Sequence, residues 1–332
     1  MKITFFSAKP YDKQFFDQSN DSFGFQYEYF ETHLGPHIVN AVEHADAVCV
    51  FVNDKVSREV ISVLASRKVR IIALRCAGFN NVDLQAAREY GMRVCRVPAY
   101  SPEAVAEYTV AMLLTLIRKT HKAYNRVREQ NFSLNGLLGS NIHGRTIGLI
   151  GTGKIGKVFC GIMRGFGARV LAYDLVPDPQ LQAAGVIYTS LEELLPQSDI
   201  LSLHCPLTKD NYHLIDKGTL SKMKPGVILI NTSRGGLVCT ADIIQALKDR
   251  QVGALGIDVY EQEENLFFRD LSGSIIDDDQ IQRLMSFPNV LITAHQAFFT
   301  EEAMSQIAQV TLENIRDLTN GIEPKDSSAI LV

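Results

Sequence analysis

The sequence predicts an α/β protein made of two doubly wound parallel sheets, and three observations carry that prediction. Short β-rich runs alternate with helix-patterned stretches nearly from end to end, as parallel strands covered by helices on both faces require. A glycine-rich turn, GTGKIG at 151–156, joins a strand pattern to a helix pattern. The length, 332 residues, suits about two domains at roughly 150 residues each.

The first part offers strands at 2–8, 45–52, 69–76 and 92–97. Helical spacing fills 57–68 and 82–91, with Gly91 placed as the C-cap of the latter. A long helix follows, with Ser101 as N-cap and Pro102 at the first helical position, where a missing N–H costs nothing. Val105, Tyr108, Met112, Leu116 and Lys119 form one ridge of it, and Thr109, Leu113 and Ile117 the next. So wide an apolar arc predicts burial between domains or at a subunit interface.

The second part offers strands at 145–151, 168–174, 199–205, 226–232, 253–259 and 289–295. Helices fill the gaps, as at 154–166 and 240–250, enough βα steps for a full doubly wound sheet. The stretch 264–280 breaks the pattern. Its Asp277, Asp278 and Asp279 read as a helix N-cap and first turn, favourable to the helix dipole, and not as a metal site. A last amphipathic helix covers 301–320 and stops near Gly321.

Composition excludes several classes. Lys plus Arg is 33 and Asp plus Glu is 37, a net charge of −4 with no electrostatic footprint for nucleic acid or a polybasic membrane role. The apolar runs, such as 47–52 and 111–117, fall far short of the ~20 residues a bilayer span needs. The N-terminal segment does not read as a signal peptide. Six cysteines without zinc spacing or a C-x-x-C pair predict free thiols in a reducing cytoplasm.

The strongest motif is Gly151-Thr152-Gly153-Lys154-Ile155-Gly156. Gly151 permits the tight turn, Gly153 lets the backbone approach a pyrophosphate, and Gly156 lets helix pack on strand. The free N–H groups at the helix start attract the phosphates. A second strand ends in Asp174, whose carboxylate suits both hydroxyls of an adenosine ribose and repels a 2′-phosphate. Leu175-Val176-Pro177 supplies no Arg to hold such a phosphate, so NAD is predicted over NADP.

A second constellation is Arg234, Glu263 and His295, each just past or at the end of a predicted strand. Ligands of doubly wound folds bind at that carboxyl edge. The planar fork of Arg suits a substrate carboxylate, and a His held by a carboxylate suits proton transfer during hydride transfer to a carbonyl. His204 also ends a strand, and the residues alone leave His204 and His295 both open.

GTGKIG, HCPLT (204–208), NTSRGG (231–236), GIDVYE (256–261) and TAHQAFFT (293–300) resemble the D-isomer-specific 2-hydroxyacid dehydrogenase family. RCAGFNNVD (75–83) and RVPAYSPEAVAEYT (96–109) resemble its fermentative D-lactate branch, and the similarity runs along essentially the whole chain. The resemblance implies a Rossmann NAD-binding domain at 101–299, inserted in a discontinuous flavodoxin-like substrate domain of 1–100 and 300–332. It places the proton donor at His295, its carboxylate partner at Glu263 and the substrate-anchoring arginine at Arg234. Backbone amides near Ala77 and Gly78 would bind the substrate carboxylate, with Tyr100 and Phe298 lining the pocket. Lys154, Ile155, Asp174, Cys205, Pro206, Asn211, Thr232, Ser233, Arg234 and Asp258 match NAD-contacting positions. The implied activity is reversible reduction of pyruvate to D-lactate by a cytoplasmic homo-oligomer, most simply a homodimer through the coenzyme domain. Bulkier 2-keto acids, and a nucleotide-sensing corepressor-like role on the same fold, are the alternatives.

Overall fold

Runs of Val, Ile and Leu with buried side chains build the strands, and glycines in left-handed conformation end several of the elements. The computed structural model describes residues 1–332, Asn265 through its backbone alone. The chain divides into two units, Met1–Ser101 with Phe299–Val332, and Pro102–Phe298.

The first unit holds a five-stranded parallel sheet of β1 (Lys2–Phe5), β2 (Gln26–Tyr29), β3 (Ala47–Val50), β4 (Ile71–Leu74) and β5 (Arg93–Arg96). Its order, β2-β1-β3-β4-β5, is the flavodoxin-like one. Every residue of β3 and β4 is buried, because helices cover both faces. Helices Arg58–Ser66 and Leu84–Glu89 pack Val60, Ile61, Leu64, Ala86 and Ala87 on one face. Helices Pro10–Asn20 and Glu301–Thr319 pack Phe16, Ala308, Leu312 and Ile315 on the other. Sequence patterning passed over β2 and helix Pro10–Asn20. The strand is only partly buried, and the helix buries only Asp12 and Phe16, so neither carries a strong apolar period.

The second unit holds seven parallel strands: β6 (Thr146–Ile150), β7 (Arg169–Tyr173), β8 (Ile187–Tyr188), β9 (Ile200–Leu203), β10 (Val227–Asn231), β11 (Val252–Ile257) and β12 (Val290–Ile292). Their order is β12-β11-β10-β9-β6-β7-β8. The direction of winding reverses between β6 and β9, and the crevice outside the strand ends there is the switch point where such sheets bind ligands.

Helix Pro102–Arg118 corrects two expectations. Its apolar breadth is covered within its own unit: Ala106, Val110, Leu113, Leu116 and Ile117 join the core that holds Phe159, Cys160 and Met163 of helix Lys154–Gly165. The breadth therefore says nothing about a subunit interface. Lys119 does not extend the ridge. It takes a left-handed φ of 53° and starts a separate helix, Thr120–Arg128. Around 277–279 the N-cap reading is the right one. Asp278 accepts from the N–H groups of Gln280 and Ile281, and Asp279 sits in the first turn. Among the described residues, no helix is long and apolar enough to cross a membrane.

Candidate active site

The glycine-rich turn lies at the switch point, after β6 and before helix Lys154–Gly165. Gly151 has φ 96°, and a Cβ there would lie 2.6 Å from the Cys205 nitrogen. A Cβ on Gly156 would lie 2.2 Å from the Gly151 oxygen, so this glycine permits the helix to press on the turn. Gly153 differs: nothing lies within 4 Å of its Cβ position. Packing does not require that glycine, and the space beside it is open for a pyrophosphate to meet bare backbone. The turn thus fits a dinucleotide on its own geometry.

Asp174, just past β7, closes the turn. Its carboxylate accepts from Thr152 N at 2.6 Å, Thr152 Oγ1 at 3.0 Å and Val176 N at 3.1 Å. Partial burial pulls its pKa up, but these bonds outweigh it and hold the carboxyl below its ordinary value. The Tyr188 hydroxyl donates to Thr152 Oγ1 at 2.9 Å. Thr152, a variable position of the motif, thus links turn, acid and β8, and no sequence signal singled it out.

The other cofactor-side positions form one bonded shelf beyond β9 and β10. Ser233 Oγ donates to Cys205 O at 2.6 Å, and Asn211 Nδ2 donates to Pro206 O at 2.7 Å. Thr232 and Thr109 pair their hydroxyls at 2.8 Å. Burial pushes the Cys205 thiol up to about 11, so it stays neutral. Lys154 is exposed and Ile155 half-buried at the helix start.

His295 and Glu263 meet. Nδ1 of His295 lies 2.7 Å from Glu263 Oε1, and Glu263 Oε2 accepts from Tyr260 N at 2.9 Å. The histidine takes a left-handed φ of 53°, which a non-glycine residue holds only when its surroundings impose it. Asp258 imposes it. This fully buried carboxylate accepts from Thr293 Oγ1 at 2.5 Å, Gln296 N at 3.0 Å and Ala297 N at 2.8 Å. Its carbonyl accepts from His295 N at 2.6 Å. The Asp258 side chain is therefore spent on the 293–297 turn. Phe268, from the stretch 264–280, sets its ring 5.8 Å from that of His295. Sequence reading missed this neighbour because its segment has no periodicity.

His204 is a different kind of residue. Its Nε2 contacts Ser202 Oγ at 2.9 Å and its ring packs 4.9 Å from Phe159. Enclosure pushes its pKa down to about 3, so the imidazole is neutral and unfit to deliver a proton near neutral pH.

Arg234 follows β10 in a turn held by Asn231, whose Nδ2 donates to Arg234 O at 2.9 Å. Its guanidinium donates to Ser233 O at 2.6 Å. The next residue, Gly235, lies against Tyr260, where a Cβ would fall 2.1 Å from the carbonyl carbon. The Arg234 turn therefore rests on the backbone that Glu263 caps. Of the remaining predicted residues, Phe298 is buried in the second unit. Ala77, Gly78 and Tyr100 belong to the first unit, where Ala77 O accepts from Arg96 Nη1 at 2.8 Å.

The comparisons with known proteins agree with this geometry. Residues 110–297 match the model of the D-isomer specific 2-hydroxyacid dehydrogenase NAD binding domain. A 2-hydroxyacid dehydrogenase homolog of Haemophilus influenzae is 52% identical over 97% of each chain. The apo-structure of D-lactate dehydrogenase from Escherichia coli superposes with a TM-score of 0.91, at 47% identity over 100% of both chains. D-lactate dehydrogenase from Aquifex aeolicus, complexed with NAD and lactic acid, superposes with a TM-score of 0.88, at 34% identity over 99% of both. With a dinucleotide turn at the switch point and this likeness over its whole length, the chain belongs to the D-isomer specific 2-hydroxyacid dehydrogenase family, oxidoreductases that use NAD.

Proposed function

We propose that this protein is a D-lactate dehydrogenase that reduces pyruvate reversibly, with His295, Glu263 and Arg234 as its working residues. The observation that carries this is the bond from His295 Nδ1 to Glu263 Oε1, beyond the same strand ends as the dinucleotide turn. That bond leaves Nε2 to face a substrate oxygen.

When bound, NADH would supply the hydride for the carbonyl carbon. The turn that Gly151 and Gly156 shape would hold the pyrophosphate against the bare backbone of Gly153, and Asp174 would take the adenosine ribose. Lys154, Ile155, Cys205, Pro206, Asn211, Thr232, Ser233 and Asp258 are the further residues that hold or shape this site. Arg234 pairs with the substrate carboxylate through its planar fork and polarises the neighbouring carbonyl. Protonated His295 gives its Nε2 proton to the carbonyl oxygen, while the Glu263 carboxylate holds the ring by Nδ1. In lactate oxidation the neutral imidazole takes the proton back. For substrate recognition, Ala77, Gly78, Tyr100 and Phe298 are proposed on the resemblance alone.

The same proposal includes a homodimer and a cytoplasmic setting. Tyr124, Phe132, Leu134 and Leu138 stand 62%, 73%, 81% and 88% exposed on the second unit, an apolar stretch that a second copy would cover. All six cysteines are free thiols. Steady-state turnover of NADH with a panel of 2-keto acids, followed by chiral analysis of the product, tests the activity. Pyruvate as the preferred acceptor with D-lactate as product supports it, and L-lactate or no turnover refutes it.

A further inference from the structure

Glu261 has no part in the chemistry above, yet its carboxylate is the most heavily used acceptor near it. Oε1 accepts from His213 Nε2 at 2.6 Å and from the Tyr212 hydroxyl at 2.9 Å. Oε2 accepts from Thr240 Oγ1 at 2.8 Å and Thr240 N at 3.2 Å. The donors come from two segments distant in sequence, and Glu261 itself lies in a third. His213 holds a left-handed φ of 54° while it makes this contact, and its ring stacks on Tyr212 at 3.9 Å.

The cluster adjoins the turns that carry the working residues. His213 N donates to Gly236 O at 2.9 Å, two residues from Arg234. Gly235 presses on the backbone of Tyr260 and Glu261. Tyr260 N donates to Glu263, which holds His295.

We infer that Glu261 is a positioning residue: it fixes the turn that carries Arg234 against the turn that carries Glu263. Substrate anchor and proton donor thereby keep one spacing. The inference rests on the proposed roles of Arg234 and Glu263. It concerns pyruvate binding more than cofactor binding, because the dinucleotide turn and Asp174 take no bond from this cluster.

The titratable groups facing Glu261 are His213, Tyr212, Cys239 and Tyr260, with Asp242 beside Cys239. Tyr212, Cys239 and Tyr260 are all shifted upward, so they stay neutral at ordinary pH. Four donors outweigh partial burial and hold the Glu261 carboxyl below its ordinary value.

This chemistry separates positioning from plain support. In Glu261→Gln the amide oxygen can still accept from Thr240, and its NH₂ can donate to a neutral His213 and to the Tyr212 oxygen. The pyruvate KM of Glu261→Gln should therefore stay within about twofold of the native value. Glu261→Ala should raise KM about tenfold at every pH, the scale of one lost bond to a charged group. NADH affinity, from quenching of cofactor fluorescence, should hold within about twofold in both variants.

A pyruvate KM of Glu261→Ala within about twofold of native, or one of Glu261→Gln as high as that of Glu261→Ala, would overturn the inference. So would losses of KM, NADH affinity and Tm in equal proportion, which mark a merely structural role. Arg234→Ala, measured in parallel, tells the two failures apart. If it keeps native KM, the role of Arg234 is wrong and Glu261 has nothing to position. If it raises KM while Glu261→Ala does not, only the present inference falls.

Discussion

The Nδ1 of His295 lies 2.7 Å from Oε1 of Glu263, although 32 residues separate the two in sequence. The bond forms because β11 and β12 are parallel neighbours, so the segments that follow them leave the sheet on the same edge. A carboxylate in that place fixes the ring through Nδ1 and leaves Nε2 unengaged by Glu263.

Loss of His295 should remove the proton donor. His295→Ala, folded and still binding NADH, should reduce pyruvate ~10²–10⁴-fold more slowly than the native protein. Glu263→Gln keeps the hydrogen bond without the charge. It should lower kcat for pyruvate reduction by less than His295→Ala does, with NADH affinity held, as read by steady-state kinetics. A near-native rate for His295→Ala would sink the assignment.

His204 makes a prediction about stability. Its folded pKa, about 3, lies below the ~6.5 of an unfolded histidine. The neutral ring therefore stabilises the fold fully above about pH 6.5, and the contribution is lost as pH falls towards about 3, by up to ~1.4 kcal/mol per pH unit. Thermal unfolding of native protein and His204→Asn over pH 4.5–7.5 should show a Tm difference that shrinks as pH drops. A pH-independent difference would show that the ring is not held neutral.

Asp174 sets cofactor choice. Its carboxylate would face the 2′-phosphate of NADPH, and like charges in contact cost several kcal/mol. The native protein should prefer NADH in kcat/KM, and Asp174→Asn should cut that preference by ~10–100-fold. Because Thr152 N and Oγ1 both donate to this carboxylate, the variant should also weaken NADH binding modestly. Equal efficiency of the native protein with both cofactors would refute the reading.

The exposed apolar stretch of the second unit predicts the assembly. Light scattering at micromolar concentration should give twice the 36.9 kDa chain mass. Phe132→Asp with Leu134→Asp should yield monomers, since each places a charge where an apolar side chain is to be buried. A native monomer, or a double variant that stays dimeric, would rule this surface out.

The parallel sheets were legible because β3, β4, β6 and β9 are buried on both faces and so read as continuous apolar runs. The dinucleotide turn was legible because its glycines are demanded by contact: Gly151 and Gly156 have no room for a Cβ. His295 and His204 were not separable by pattern, since both end strands. What separates them is enclosure by Phe159 and Ser202 on one side and an acidic partner on the other, and both arise only when distant segments meet. Phe268, Thr152 and Glu261 escaped for the same reason: their roles are contacts, and no local period encodes them. The breadth of helix Pro102–Arg118 misled in the opposite direction, because a helix packed on both a sheet and another helix has the same wide apolar arc as one at an interface.

The first unit is closed by the end of the chain. Leu331 N donates to Val94 O at 2.9 Å, Cys95 bridges Ile330, and helix Glu301–Thr319 supplies Ala308, Leu312 and Ile315 to the layer over Ile3 and Phe5. The second unit, by contrast, has all its strands once residue 298 is made. During synthesis the part that begins first therefore finishes after the second unit, with Ile3, Phe5 and Phe16 lacking their cover until helix Glu301–Thr319 leaves the ribosome. A chain arrested at residue 298 should yield a protease-resistant second unit and a digestible first segment. The interval in which that sheet face stands uncovered is the window for aggregation and for chaperone capture.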